Sequence, residues 1–172
     1  MPTSLAYTLY LRGDYERLTR SGDTVIDLEP RALGLAAQGR RREALDVVEE
    51  LDRARLPRVF GLVRGAMRLA LAGDSRDPGI VEEAARAHTD PEALYMIAIF
   101  FAQLGRVEPA LHVLERAVRG GFFVSPALRG DPLLAPLRAE PHFAAIVDLA
   151  EAGRREAQRR FESAGGNELL GL

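Results

Sequence analysis

The sequence predicts an all-α protein assembled from antiparallel helix hairpins, and three observations carry that prediction. Apolar residues recur at three-and-four spacing through most of the 172 residues, the period of a helix buried along one side. Gly13, Gly39, Gly73 and Gly105 interrupt these stripes at intervals of 26, 34 and 32 residues, the mark of a turn used repeatedly. Prolines stand where helices can begin, as at Pro91 and Pro141, because a first-turn residue has no use for its N–H. A chain of 172 residues holds one domain with a sizeable core, or about five stacked hairpins of ~34 residues.

The first hairpin, about 2–27, places Leu5, Ala6 and Leu9 before Gly13, and Tyr15, Leu18 and Ile26 on a second helix from Asp14 to about Ile26. In the second, about 30–55, Pro30 confines the first helix to Arg31–Gln38. After Gly39, Ala44, Leu45, Val48 and Leu51 share one face, and Glu49 with Arg53 forms an exposed i,i+4 pair. The third, about 58–88, has Phe60, Leu62, Ala66, Leu69 and Ala70 before Gly73, then a short helix from near Pro78 to near His88.

The fourth hairpin, 91–120, has the clearest pattern. Leu94, Ile97, Ala98 and Phe101 form one stripe and Val107, Ala110, Leu114 and Ala117 the other, with Asp90 as N-cap, Pro91 at the first position and Gly105 suited to a left-handed end. Residues 121–140 carry Pro126, Pro132 and Pro136, which leaves room only for turns and one-turn helices. Pro141 opens a terminal helix, 141–164, striped by Phe143, Ile146, Val147, Ala150, Ala157 and Phe161, expected to run through Gly153 and to end at Gly165–Gly166.

Counted from Pro91, the residues Leu94, Ala98, Phe101, Gly105, Ala110, Leu114 and Ala117 fall in an order of large, small, large, glycine, small, large, small. In this the fourth unit resembles a tetratricopeptide repeat. The resemblance implies a right-handed helical-repeat solenoid spanning 1–172 as a single domain, with a C-terminal capping helix. Only Ala6, Leu9, Gly13 and the closing Pro30 match in the first unit, and the motif's first position falls before Met1. The chain is therefore expected to begin inside a repeat and to be cut from, or descended from, a longer protein. The order of repeat, glycine pair, GDPLLAPLRAEPHF and terminal helix resembles the C-terminal tetratricopeptide regions of bacterial multidomain signalling proteins.

Residues of the first helices line a partner groove in that family. Carried over position by position, they are Tyr7, Tyr10 and Leu11, then Phe60, Val63, Met67 and Leu71, then Glu92, Tyr95, Ile99 and Gln103. The implied function is a non-enzymatic scaffold that binds a segment of a protein partner there. The alternative is a C-terminal regulatory or self-association module, such as a homodimer, of a larger signalling protein (kinase, cyclase or transcription regulator). The groove stays open if the terminal helix caps the array; it closes if that helix or the proline-rich segment folds into it.

Composition excludes several chemistries. Apolar residues are 47% and charged residues 28%, as in soluble globular proteins, and cysteine is absent, so there is neither a disulfide nor a thiolate site. All 23 basic residues are arginine, which removes the lysine that a Walker loop, a kinase phosphate anchor or a Schiff base requires. His88, His112 and His142 are scattered without ligand spacing, and Glu49–Glu50 and Glu82–Glu83 are helix neighbours that point apart. The arginine runs Arg40–Arg42 and Arg154, Arg155, Arg159, Arg160 lack interleaved aromatics, and Glu151 and Glu156 are placed to pair with Arg155 and Arg160. With a net charge of −2, no nucleic-acid or membrane partner, no cofactor, no metal and no catalytic residue is expected. With no apolar leader or span, the expected location is cytoplasmic.

Overall fold

A left-handed glycine ends the first helix of every hairpin. In the computed structural model, helix α7 (Pro91–Gln103) is followed by Gly105 at φ 71°, and α8 (Val107–Arg119) runs back along it. The Gly105 N–H donates to the Ala102 carbonyl at 3.0 Å and the Arg106 N–H to the Phe101 carbonyl at 2.9 Å, which satisfies two carbonyls that a helix end leaves unpaired. Gly13, Gly39 and Gly73 have the same conformation and the same pair of bonds. They close α1 (Leu5–Leu11), α3 (Val25–Ala37) and α5 (Val59–Ala72) ahead of α2 (Tyr15–Arg20), α4 (Arg41–Arg53) and α6 (Gly79–Ala87). The structure describes residues 4–20, 24–53, 59–74, 76 and 78–171, without the side chains of residues 59, 60 and 170. The expected hairpin start at Pro2, Gly22, the break at Pro57, the loop residue Asp77 and the side chain of Phe60 lie outside them.

Among the described residues the fold is all-helical, with no strand. Each helix packs on the next or the next but one in sequence, α1 on α2 and α3, α2 on α3, α3 on α4, α4 on α5, α5 on α6 and α7, α6 on α7, and α7 on α8. Asp90 caps α7 by accepting the Ala93 N–H at 3.0 Å, with Pro91 at the first position. Ala98 and Ala110 are fully buried where α7 and α8 meet, beside the equally buried Leu114 and Ile97.

Two expected elements differ. Ile26 belongs to α3, not to the second helix of the first hairpin, and Pro30 lies inside α3 instead of before it. Pro30 withholds one N–H from the Ile26 carbonyl, but that residue lies in the first turn and is 71% exposed, so water can take the carbonyl and the helix continues. Leu18, fully buried on α2, packs against Gly34 of α3, where a Cβ would lie 2.5 Å from the Leu18 Cδ2.

After α8 the chain forms α9 (Ser125–Gly130), a 3₁₀ helix (Pro132–Leu137), α10 (Pro141–Ser163) and α11 (Gly166–Leu170). Helix α10 passes through Gly153 unbroken. A Cβ there would meet the Phe123 ring at 2.3 Å, so the glycine is where the 122–124 connection seats on the helix. The buried face Phe143, Ile146, Val147 and Ala150 packs on α8 and α9, at the end of the hairpin series. The 3₁₀ helix lies instead against α7, α8 and α3.

Filling the α7–α8 contact with extra methylenes should strain it. Ala98→Leu and Ala110→Leu are expected to lower unfolding free energy by ~1–3 kcal/mol. Ala144→Leu, on the exposed side of α10, should change it by less than ~0.5 kcal/mol. Chemical denaturation of the three variants measures this, and equal midpoints would contradict the packing.

Candidate functional site

The residues expected to face a partner are, in the main, interior. Tyr7, Tyr10, Val63, Met67, Leu71, Tyr95 and Ile99 are buried, while Leu11, Glu92 and Gln103 are half-buried. The expectation of a groove left open by a capping terminal helix needs correction. Helix α10 does sit at the end of the series, but the chain's own proline-rich segment covers this face. Its prolines prevent a long helix and let a compact 3₁₀ turn bring Leu133, Leu134 and Leu137 into the core.

Asp131 holds that segment in place. It follows α9 and precedes Pro132, and its Oδ1 accepts the Leu133 N–H at 2.9 Å as N-cap of the 3₁₀ helix. Its Oδ2 accepts the Tyr10 hydroxyl at 2.6 Å and the Tyr95 hydroxyl at 2.8 Å. The carboxylate is 3% exposed. Burial pushes its pKa up, against the donors and Arg138, which favour the charged form. Burial and the neighbouring carboxylate push both phenols well above their usual range, so they remain donors. Arg138 donates to the Asp131 carbonyl at 2.8 Å, and Gln103 donates from Nε2 to the Leu133 carbonyl at 2.6 Å while accepting Arg41 at 2.5 Å.

Beside this junction the face remains open. A cleft of about 640 Å³ lies between the α1–α2 turn and α9. Tyr10 and Asp131 form its buried floor, Leu11, Tyr15, Phe123, Val124 and Ala127 its apolar walls, and Arg12 an exposed edge. Of the expected partner residues, Tyr10 and Leu11 are the two that line it. Helix α10 positions the far wall, through Phe123 on Gly153 and through Ser125, whose hydroxyl donates to Glu151 at 2.5 Å. Tyr15 on the near side stands with its ring centroid 5.9 Å from that of Tyr10, which in turn lies 6.1 Å from that of Tyr7 behind it. Among the described residues no histidine, serine or cysteine lines the cleft.

On the other side of Tyr7 lie two half-buried acids, Glu29 and Glu92. The Tyr7 hydroxyl and the Glu29 Oε1 are shut off from solvent and have no hydrogen-bond partner among the described residues. Burial first, then the charge of Glu92, raises the Glu29 pKa to about 7. Glu92 is itself raised, by burial and by Asp90.

The other candidates are accounted for locally. His88 Nδ1 lies 2.9 Å from the Ala84 carbonyl and His142 Nε2 3.2 Å from Glu115, while His112 is exposed. No group of three acidic or histidine side chains suited to a metal occurs among the described residues. Sequence reading did not single out Asp131. An Asp before Pro132 is a capping signal, but nothing local places it beside tyrosines 121 and 36 residues away. Comparison of the chain with family models, with curated proteins and with solved structures found no match.

Two measurements probe the junction. Asp131→Ala orphans two buried phenols and should cost ~3 kcal/mol or more, whereas Tyr95→Phe removes one donor and should cost ~1.5 kcal/mol. Denaturation curves showing no difference between them would contradict the shared carboxylate. Glu29 adds a pH dependence. Its folded pKa lies above the usual carboxylate value, so the native state holds the proton more tightly and stability falls as pH rises from about 4.5 to about 7. Glu29→Gln should flatten that slope and exceed wild-type stability at alkaline pH; an unchanged profile would place the titration elsewhere.

Proposed function

We propose that the chain is a non-enzymatic scaffold of tetratricopeptide-like hairpins that binds a segment of a protein partner, and that the segment enters at the cleft beside Asp131. One observation carries the reading. The helix face expected to hold a partner already holds a peptide turn, the chain's own residues 131–137, through bonds from Tyr10, Tyr95 and Gln103, and the same face is open at the adjoining cleft. Four hairpins with one turn geometry support the repeat architecture. Apolar walls with a few fixed polar groups suit recognition of a side chain rather than turnover.

A Cβ on Gly130, which lines the cleft, meets nothing within 4 Å, so Gly130→Trp can fill the space without disturbing the fold. Selection of displayed dodecapeptides on the folded protein is expected to return binders whose affinity falls about tenfold or more in Gly130→Trp. Binders indifferent to that change, or no binders, would overturn the reading.

A second reading, a self-association module of a larger signalling protein, draws on α10 and α11. Burial along α10 ends at Ala150, and beyond it Phe161 is 41% and Leu169 85% exposed. Sedimentation equilibrium showing a dimer that Leu169→Ser dissociates would favour it. No helix among the described residues is long and apolar enough to cross a membrane. Nucleic acid is not assigned as a partner, because the arginines of α9 and α10 are engaged. Glu151 takes Arg129, Arg154 and Arg155, and Glu156 takes Arg159 and Arg160. Labelled oligonucleotides should show no shift at micromolar protein and physiological salt; a salt-sensitive shift would refute this.

A further inference from the structure

We propose that Tyr15 and Arg12 form a carboxylate subsite in the cleft, and that the ligand is a peptide segment whose internal Asp or Glu accompanies an aliphatic or aromatic side chain. The inference rests on the cleft being a partner site and names what the partner carries. It follows from the donors and acceptors the cleft has left. Asp131, the carboxylate lining it, is buried and already accepts from the Leu133 N–H and two phenols, and the Asp131 carbonyl is taken by Arg138. Asp14, on the adjoining turn, is engaged by Arg17 at 3.5 Å. A cationic ligand would therefore find no free carboxylate in the cleft.

The groups left over are donors. Neither the Tyr15 hydroxyl nor the Arg12 guanidinium has a hydrogen-bond or ion-pair partner among the described residues, and both line the cleft. Burial and the nearby Asp131 keep the Tyr15 phenol protonated, while Arg138 adds positive charge on the same side. Two free donors beside apolar walls call for an acceptor attached to an apolar body, and a guanidinium favours one that is charged.

The same face already shows this pairing in its own chain. Tyr10 and Tyr95 hold Asp131, and Leu133 and Leu134, two and three residues on, are buried beside it. Tyr15 extends that phenol set outward, its ring 5.9 Å from that of Tyr10. The cleft is thus a solvent-open counterpart of the site Asp131 occupies.

The test uses two N-acetylated, C-amidated heptapeptides, Gly-Gly-Asp-Pro-Phe-Leu-Gly and its Asn counterpart, titrated into the full chain by heteronuclear NMR and calorimetry. The Asp peptide is expected to bind about fivefold or more tightly than the Asn peptide, with the ratio shrinking as salt rises. Arg12→Gln and Tyr15→Phe should each remove most of that preference and leave Asn-peptide binding nearly unchanged. Gly130→Trp should abolish binding of both. Equal affinities for the two peptides, both blocked by Gly130→Trp, would overturn the carboxylate subsite and leave the cleft as a partner site. Binding that persists in Gly130→Trp, or no binding of either peptide, would overturn both.

Discussion

The structure turns on one buried carboxylate with three donors. A lone Asp removed from water is costly, and Asp131 is tolerable at 3% exposure because Tyr10, Tyr95 and the Leu133 N–H meet both of its oxygens. Those donors come from the first hairpin, the fourth hairpin and the 3₁₀ turn. The bond set therefore specifies how the two ends of the helical series sit on the connecting segment, where apolar contacts alone would tolerate slippage. The cost of breaking it is concentrated in the orphaned groups rather than in the bonds themselves.

The cleft inherits its shape from that junction and from α10. Its floor is Asp131 and Tyr10, so it exists only while the 3₁₀ turn is docked. Its far wall depends on Gly153, since any side chain there would push away the Phe123 ring. Ser125 and Arg129 tie α9 to Glu151 on the same helix. A terminal helix that buries only Phe143, Ile146, Val147 and Ala150 thus has a role beyond covering the end of α8. It holds that wall of the cleft in place.

The half-buried acids on the other side of Tyr7 contrast with this. Asp131 has its donors, whereas the Glu29 Oε1 is shut off from water with no partner among the described residues and Glu92 lies near it, so desolvation raises both pKa values. Neutral pH then lies where Glu29 exchanges its proton, and the packing of α3 carries a charge cost that acid relieves.

What the residues by themselves determined was local. The helix stripes, the glycine turns at Gly13, Gly39, Gly73 and Gly105, the Asp90 cap with Pro91 and the broken helices of 121–140 were all legible, because each depends on neighbours within about two turns. Pro30 misled, since its effect depends on whether the freed carbonyl reaches water. Gly153 was legible as tolerated, but not as required by Phe123. What only the tertiary structure decided was which surface the proline-rich segment covers. That outcome hangs on Tyr10 meeting Asp131 across 121 residues, and on Leu133, Leu134 and Leu137 finding a wall built by α7 and α8. No local pattern encodes such a pairing; it arises because a buried polar group must be satisfied by whichever donors the packed helices bring to it.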